Sequence, residues 1–209
     1  MTQPGGGVGV RAGVAERMRV WMLQEAREVR SAAERLEGDG PDAAFGLLAG
    51  CTRLVAVTGI GTSGLVAAKL AATFTSSGTA AVFLHAGDAL HGGLGLVGET
   101  DVAIAVSKSG RTAETLLVVD ALRCAGVSVI ALTGAPDSPL AEAADAVLDA
   151  SVTAEACPLG VSATASSTVA LTMGHALAMA LAARRGWSLR DLARAHPAGA
   201  LGRATREER

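Results

Sequence analysis

Leu54-Val-Ala-Val-Thr58, running directly into Gly59-Ile-Gly-Thr-Ser-Gly64, decides the fold. A short apolar run that ends in a Gly/Ser turn and continues as helix-like sequence reads as a strand buried on both faces. The pattern returns where Val102-Ala-Ile-Ala-Val106 leads into Ser107-Lys-Ser-Gly-Arg-Thr112. Further strands are expected over 80–84, 127–132 and 146–148, with helices over 65–76, 114–125 and 138–144. Such alternation builds an α/β fold, a parallel sheet covered by helices on both faces. A long Ala/Leu/Met helix is expected over 166–184, and a shorter one over 188–195 with Ser188 as its N-cap.

Ahead of the first strand, Val14, Met18, Trp21, Met22, Ala26, Val29 and Ala33 recur at three- and four-residue steps. That spacing predicts an amphipathic helix over 14–37, with Glu and Arg on its other face. Gly38-Asp-Gly-Pro41 ends it, and Asp42 is placed to cap a second helix to Leu48. Both helices need a surface, which a neighbouring subunit would offer. Residues 1–13 are Gly-rich and expected to be flexible; 14–209 reads as a single domain.

The composition excludes several classes. The 209 residues are 50% hydrophobic but 2% aromatic, so Ala, Val and Leu must build the interior. A net charge of −2 exerts no pull toward nucleic acid or anionic membranes. No apolar stretch of membrane-spanning length is uninterrupted, and the first residues do not read as a signal peptide. Cys51, Cys124 and Cys157 are odd in number and lack metal-ligand spacing, so a reducing cytoplasm is expected, with no metal and no cofactor. Cys157 is read as a small packing residue.

The two Gly/Ser loops carry the chemistry. Backbone N–H groups at a helix start, with hydroxyls beside them, form an anion pocket. Gly61, Thr62 and Ser63 belong to the first loop; Ser107, Ser109 and Thr112 belong to the second. Gly64 comes one residue early for a dinucleotide fingerprint. The second strand ends at Leu84-His85 rather than on an acidic residue, and no Walker lysine is present. A small phosphate ester fits better than a nucleotide. His85, His91, Glu114, Glu155 and His196 flank strand or helix ends, and proton-transfer chemistry on a sugar needs such groups.

From Val55 to Arg203 the chain resembles a sugar isomerase (SIS) domain, in particular the isomerase domain of arabinose 5-phosphate isomerases. The stretches that carry this are Lys69-Leu-Ala-Ala-Thr-Phe-Thr-Ser-Ser-Gly-Thr79, His85 to Gly95, Ser107 to Glu114, Glu155-Ala-Cys-Pro-Leu-Gly160, Ala165-Ser-Ser-Thr168 and His196-Pro-Ala-Gly-Ala-Leu-Gly-Arg203. The resemblance implies a three-layer αβα sandwich on a five-stranded, flavodoxin-like sheet, assembled as a homotetramer with shared sites. It implies that Ser63, Ser107, Ser109 and Thr112 hold a substrate phosphate, and that Glu114, Glu155 and His196 are catalytic, with His91 lining the same pocket. Glu155 is then the first choice for the carbon base and His196 for oxygen proton transfer, with the two roles open to exchange. Expected alternatives are isomerisation of a hexulose 6-phosphate or sedoheptulose 7-phosphate, or non-catalytic phosphosugar binding.

Some positions depart from the family pattern. Thr62 stands where the isomerases carry Lys, and Lys108 and Arg111 stand where they carry Asn and Glu. These two cations are candidates to replace the lost charge. The tandem CBS domains that commonly follow have no counterpart up to Arg209, so regulation through such a module is not expected.

Overall fold

Five apolar runs form five strands: β1 (Val55–Gly59), β2 (Ala81–His85), β3 (Val102–Ser107), β4 (Ser128–Thr133) and β5 (Ala146–Asp149). They come from a computed structural model that describes residues 13–198; expectations for residues 1–12 and from 199 onward lie outside it. Every neighbouring pair is parallel, in the order β2-β1-β3-β4-β5. The strands run one residue further than their apolar runs. Gly59 still pairs with His85, and Ser107 with Thr133. β1 and β3 are buried along their whole length, which is why they lack the polar alternation of a half-exposed strand.

Among the described residues, eight α-helices accompany the sheet: α1 (Val14–Glu34), α2 (Asp39–Gly50), α3 (Gly61–Ser76), α4 (Ala86–Ala89), α5 (Ala113–Cys124), α6 (Pro139–Glu142), α7 (Ala165–Arg184) and α8 (Leu189–Ala195). α2 and α3 cover one face of the sheet, with α7 packed on them and α1 packed on α7. The other face carries α4, α5 and α6. This is the three-layer sandwich that the resemblance implies. On the first face Leu48, Leu70, Phe74, Ile104 and Leu181 are sealed from water. Each such side chain contributes about 1.5–3 kcal/mol. The second face is finer-grained: Ala86, Ala89, Ala103, Ala105 and Ala131 let its helices approach the sheet closely. α7 is long and apolar enough to cross a membrane, yet here it is an interior helix wedged among α1, α2 and α3.

Three local expectations are corrected. α3 starts at Gly61 rather than Leu65, because Gly61 (φ 59°) enters the first turn and Thr62 and Ser63 become helical. α2 starts at Asp39 and takes Pro41 into its first turn, where a missing N–H costs nothing. α1 docks through a mixed side, with Val29 and Ala32 packed on the core beside Glu28. Glu28 and Ala32 are its buried residues, whereas Val14, Met18 and Met22 are 65%, 58% and 69% exposed. Glu28 offsets its burial with hydrogen bonds, accepting from the Thr153 N–H at 2.9 Å and from Gln24 at 2.9 Å. Ser188 caps α8 as expected, in a reciprocal capping box with Asp191.

Candidate active site

Parallel strands bring their carboxyl ends to one edge, and the order reverses between β1 and β3. Ligands of open α/β sheets bind in the crevice at such a switch point. Here the crevice has two lobes. The inner lobe is lined by Thr62 and Ser63 of α3, Val66, Val106, Leu132, and Ser166, Ser167 and Ala170 of α7. The outer lobe is lined by Ser109, Arg111, Ala135 and Val152. Lys108, Gly134, Ala150 and Ser166 line both.

The two Gly/Ser loops do not use their hydroxyls for capping. α3 follows Ile60 and α5 follows Thr112, and neither N-cap side chain makes a capping bond. The free N–H groups of both first turns therefore keep their partial positive charge. The second loop is braced internally. Ser107 is buried, accepts from the Gly110 N–H at 3.1 Å and lies 3.2 Å from the Thr112 hydroxyl. Ser109 accepts from the Arg111 N–H at 3.2 Å. Gly110 is required twice: its φ is 60°, and a Cβ there would collide with the Ser138 hydroxyl. Its carbonyl is held by the Leu140 N–H at 3.1 Å, which ties the loop to α6.

Glu155 lies beneath the cleft with its side chain 3% exposed. Oε2 accepts from the N–H groups of Thr164 and Ser166, at 3.0 and 3.1 Å, and from the Thr164 hydroxyl at 3.2 Å. Oε1 accepts from the Ser166 hydroxyl and from the Lys108 ammonium. Burial alone would raise this carboxyl. The hydrogen bonds from Lys108, Ser166 and Thr164 outweigh it and bring the pKa from 4.5 down to about 2. Glu155 thus serves as a distant N-cap for α7, and Lys108 neutralises it. A carboxylate with five donors and that acidity is a weak proton acceptor.

The other expected residues are more scattered. Glu114 and His91 are exposed. His196, half-buried, has Nδ1 3.0 Å from the Leu192 carbonyl of its own helix. His85 Nδ1 lies 3.4 Å from Asp88, and its ring meets Phe83 edge-on at 6.1 Å. None of these four lines either lobe, which among the described residues carry no carboxylate or imidazole in their walls. No group of three or more His, Cys, Asp or Glu is gathered as a metal-ligand set among the described residues.

Sequence reasoning missed three contributors. Ser166 and Thr164 hold Glu155, and only the quoted stretch 165–168 pointed near them. Glu28 belongs by its spacing to a solvent-facing side, yet it pins Thr153, two residues before Glu155. Cys157 is half-exposed rather than packed in the core. The Ser162 and Val161 N–H groups donate to its Sγ at 3.3 and 3.2 Å, and hydrogen bonding led by Ser162 lowers the thiol from 9.0 to about 7.

Comparison with known proteins follows the same outline. A family model described as "SIS domain" matches residues 48–180. The arabinose 5-phosphate isomerase KdsD of Pseudomonas aeruginosa is 46% identical over 179 residues, covering 86% of this chain and 55% of that protein. The arabinose 5-phosphate isomerase GutQ of Salmonella typhi is 45% identical over 181 residues, covering 87% and 56%. The chain therefore spans about half the length of the curated relatives it matches. A solved structure of the E. coli CFT073 protein c3406 in complex with arabinose 5-phosphate superposes with a TM-score of 0.84 at 35% identity, covering 88% of this chain and 97% of that one.

Proposed function

The chain belongs to the SIS domain family, and on that premise we propose that it is an aldose–ketose isomerase interconverting arabinose 5-phosphate and ribulose 5-phosphate through an enediol. What carries the reading is a single cleft where two helices begin without side-chain caps, in a chain 46% identical to a named arabinose 5-phosphate isomerase. Phosphate takes donors that no N-cap side chain has claimed, from the first turns of α3 and α5 with Gly61, Thr62, Ser63, Ser107, Ser109 and Thr112 around them. Anchoring that end makes the C1–C2 proton transfer effectively intramolecular.

The walls of the cleft, among the described residues, offer no free base, so the proton-moving groups come from elsewhere. We assign them to a second copy of the chain, in a homotetramer with shared sites. The outward stripe of Val14, Met18 and Met22 on α1 supports this assembly, since apolar side chains at helical spacing gain by being covered. Of the two arrangements open to Glu155 and His196, the acidity of Glu155 favours His196 as the carbon base. His91 and Glu114 orient hydroxyls, and His85 shapes the end of β2. A sugar-phosphate substrate and free thiols support a cytoplasmic reaction.

A coupled assay across pentose, hexose and heptose phosphates tests the reading, with thermal shift on the same panel. Turnover is expected to be fastest with arabinose 5-phosphate. Fastest turnover of a hexulose 6-phosphate or sedoheptulose 7-phosphate would reassign the substrate. Stabilisation without turnover would replace the enzyme by a phosphosugar-binding protein.

A further inference from the structure

We propose that Lys108 is a catalytic residue of this chain: its ammonium, positioned by Glu155, binds the oxyanion that develops at the carbonyl end of an open-chain sugar phosphate. The substrate in this statement rests on the isomerase reading; the residue rests on geometry. Lys108 begins in the loop after β3, but its side chain leaves that loop. The ammonium donates to the same Glu155 oxygen that accepts from the Ser166 hydroxyl at the start of α7. It therefore ends on the α7 side of the cleft. Ser107, Ser109 and Thr112, from the same loop, stay bonded among themselves and to the turn before α5. The hydroxyls of that loop thus stay near the start of α5, while the ammonium reaches across to the start of α7.

The surroundings suit an oxyanion. Among the described residues, Lys108 is the one Lys or Arg in the wall of the inner lobe, where the remaining side chains are hydroxyls or apolar groups. Arg111 lines the outer lobe beside Ser109. An ammonium has three donors, and Glu155 takes one. The Lys108 side chain is 46% exposed, which leaves room for a ligand at the other two. Glu155 is sealed and tied to α7, so it holds the ammonium at a fixed place. The backbone cooperates: the Gly134 N–H donates to the Lys108 carbonyl at 3.1 Å, which locks the root of the side chain. A fixed cation in a partly dry cleft stabilises developing charge without first reorganising. Glu155 is then a positioning residue that acts through Lys108.

Two probes separate the ends of the substrate: inorganic phosphate, and a phosphorylated four-carbon hydroxamate whose planar head copies the enediolate. Affinities are measured by calorimetry on the full chain, with melting curves to confirm folding. K108M is expected to weaken the hydroxamate about 100-fold while phosphate changes by less than about twofold. K108R retains part of the hydroxamate affinity. Thr62 lines the same lobe, so T62K in the K108M background recovers part of the loss. E155Q weakens the hydroxamate alone, and adds nothing further once Lys108 is gone, as two members of one unit should behave. Equal losses for both probes would make Lys108 a phosphate anchor and overturn the proposal. So would no loss for either probe, or an E155Q effect that multiplies that of K108M. If the wild-type chain turns over no sugar phosphate yet binds the hydroxamate through Lys108, the isomerase reading falls and the oxyanion site stands.

Discussion

α7 begins on a buried carboxylate, whereas α3 and α5 begin with no side-chain cap at all. The starts of α3 and α7 line the cleft, and the loop that leads into α5 borders it; each helix start brings four backbone N–H groups without an intrahelical partner and the same end of a macrodipole. The chain satisfies the start of α7 internally and leaves the other two without a side-chain cap. A helix start closed by Glu155 is part of the scaffold; two open starts next to it are, on the proposed reading, the anion site. The same division explains why Ser107 and Ser109 brace the loop backbone instead of capping α5: capping would consume the donors a phosphate needs.

The comparison breaks most visibly at Glu155. E155A leaves the α7 donors and Lys108 without their acceptor, and we expect a loss of about 3 kcal/mol, read from denaturant midpoints. The pH dependence follows with a definite sign. The folded carboxyl lies near 2 and the unfolded one near 4.5. The unfolded chain therefore takes up the proton first. This stabilisation is complete above about pH 4.5 and drains away as pH falls toward 2. In E155Q that acid limb flattens by roughly 2–3 kcal/mol, seen as a smaller fall in melting temperature between pH 5 and 3. An unchanged limb would mean Glu155 is not ion-paired in solution.

G110A comes next. The alanine must adopt φ near 60° and displace Ser138, at about 2 kcal/mol. The loop distorts with it, so inorganic phosphate binds more weakly by calorimetry. S63A affects only an open start, weakening phosphate roughly fivefold with the melting point nearly unchanged. The smallest effect belongs to the reciprocal cap of α8. S188A should speed amide hydrogen exchange in 189–195 by a factor of about 2–5 while leaving phosphate binding unaltered.

Much of this was legible along the chain. Interior strands of a parallel sheet are buried on both faces, so 55–59 and 102–107 stand out as unbroken apolar runs ending in Gly/Ser turns. Ser188 announces its helix because a cap and its N3 partner are neighbours in sequence. α1 misleads for the opposite reason. Its apolar spacing identifies a helix and an apolar stripe, but nothing local says that Glu28 and Glu25 would find Thr153 and Thr168 while Val14, Met18 and Met22 face outward. The candidate site divides the same way. Its loop residues were recognisable from composition and order, whereas the standing of Glu155 was not, because its acidity is set by groups 9, 11 and 47 residues away.

Periodicity and turn chemistry act between near neighbours, so the amino-acid order alone determined five strands, their alternation with helices, and the two small-residue loops that follow β1 and β3. Which helix start is closed, which cation rests on which carboxylate, and which side of α1 faces inward depend on segments that meet only when the sheet assembles. Those pairings were decided by desolvation: a buried charge must find its partner wherever the fold brings one, and only the tertiary structure shows where that is.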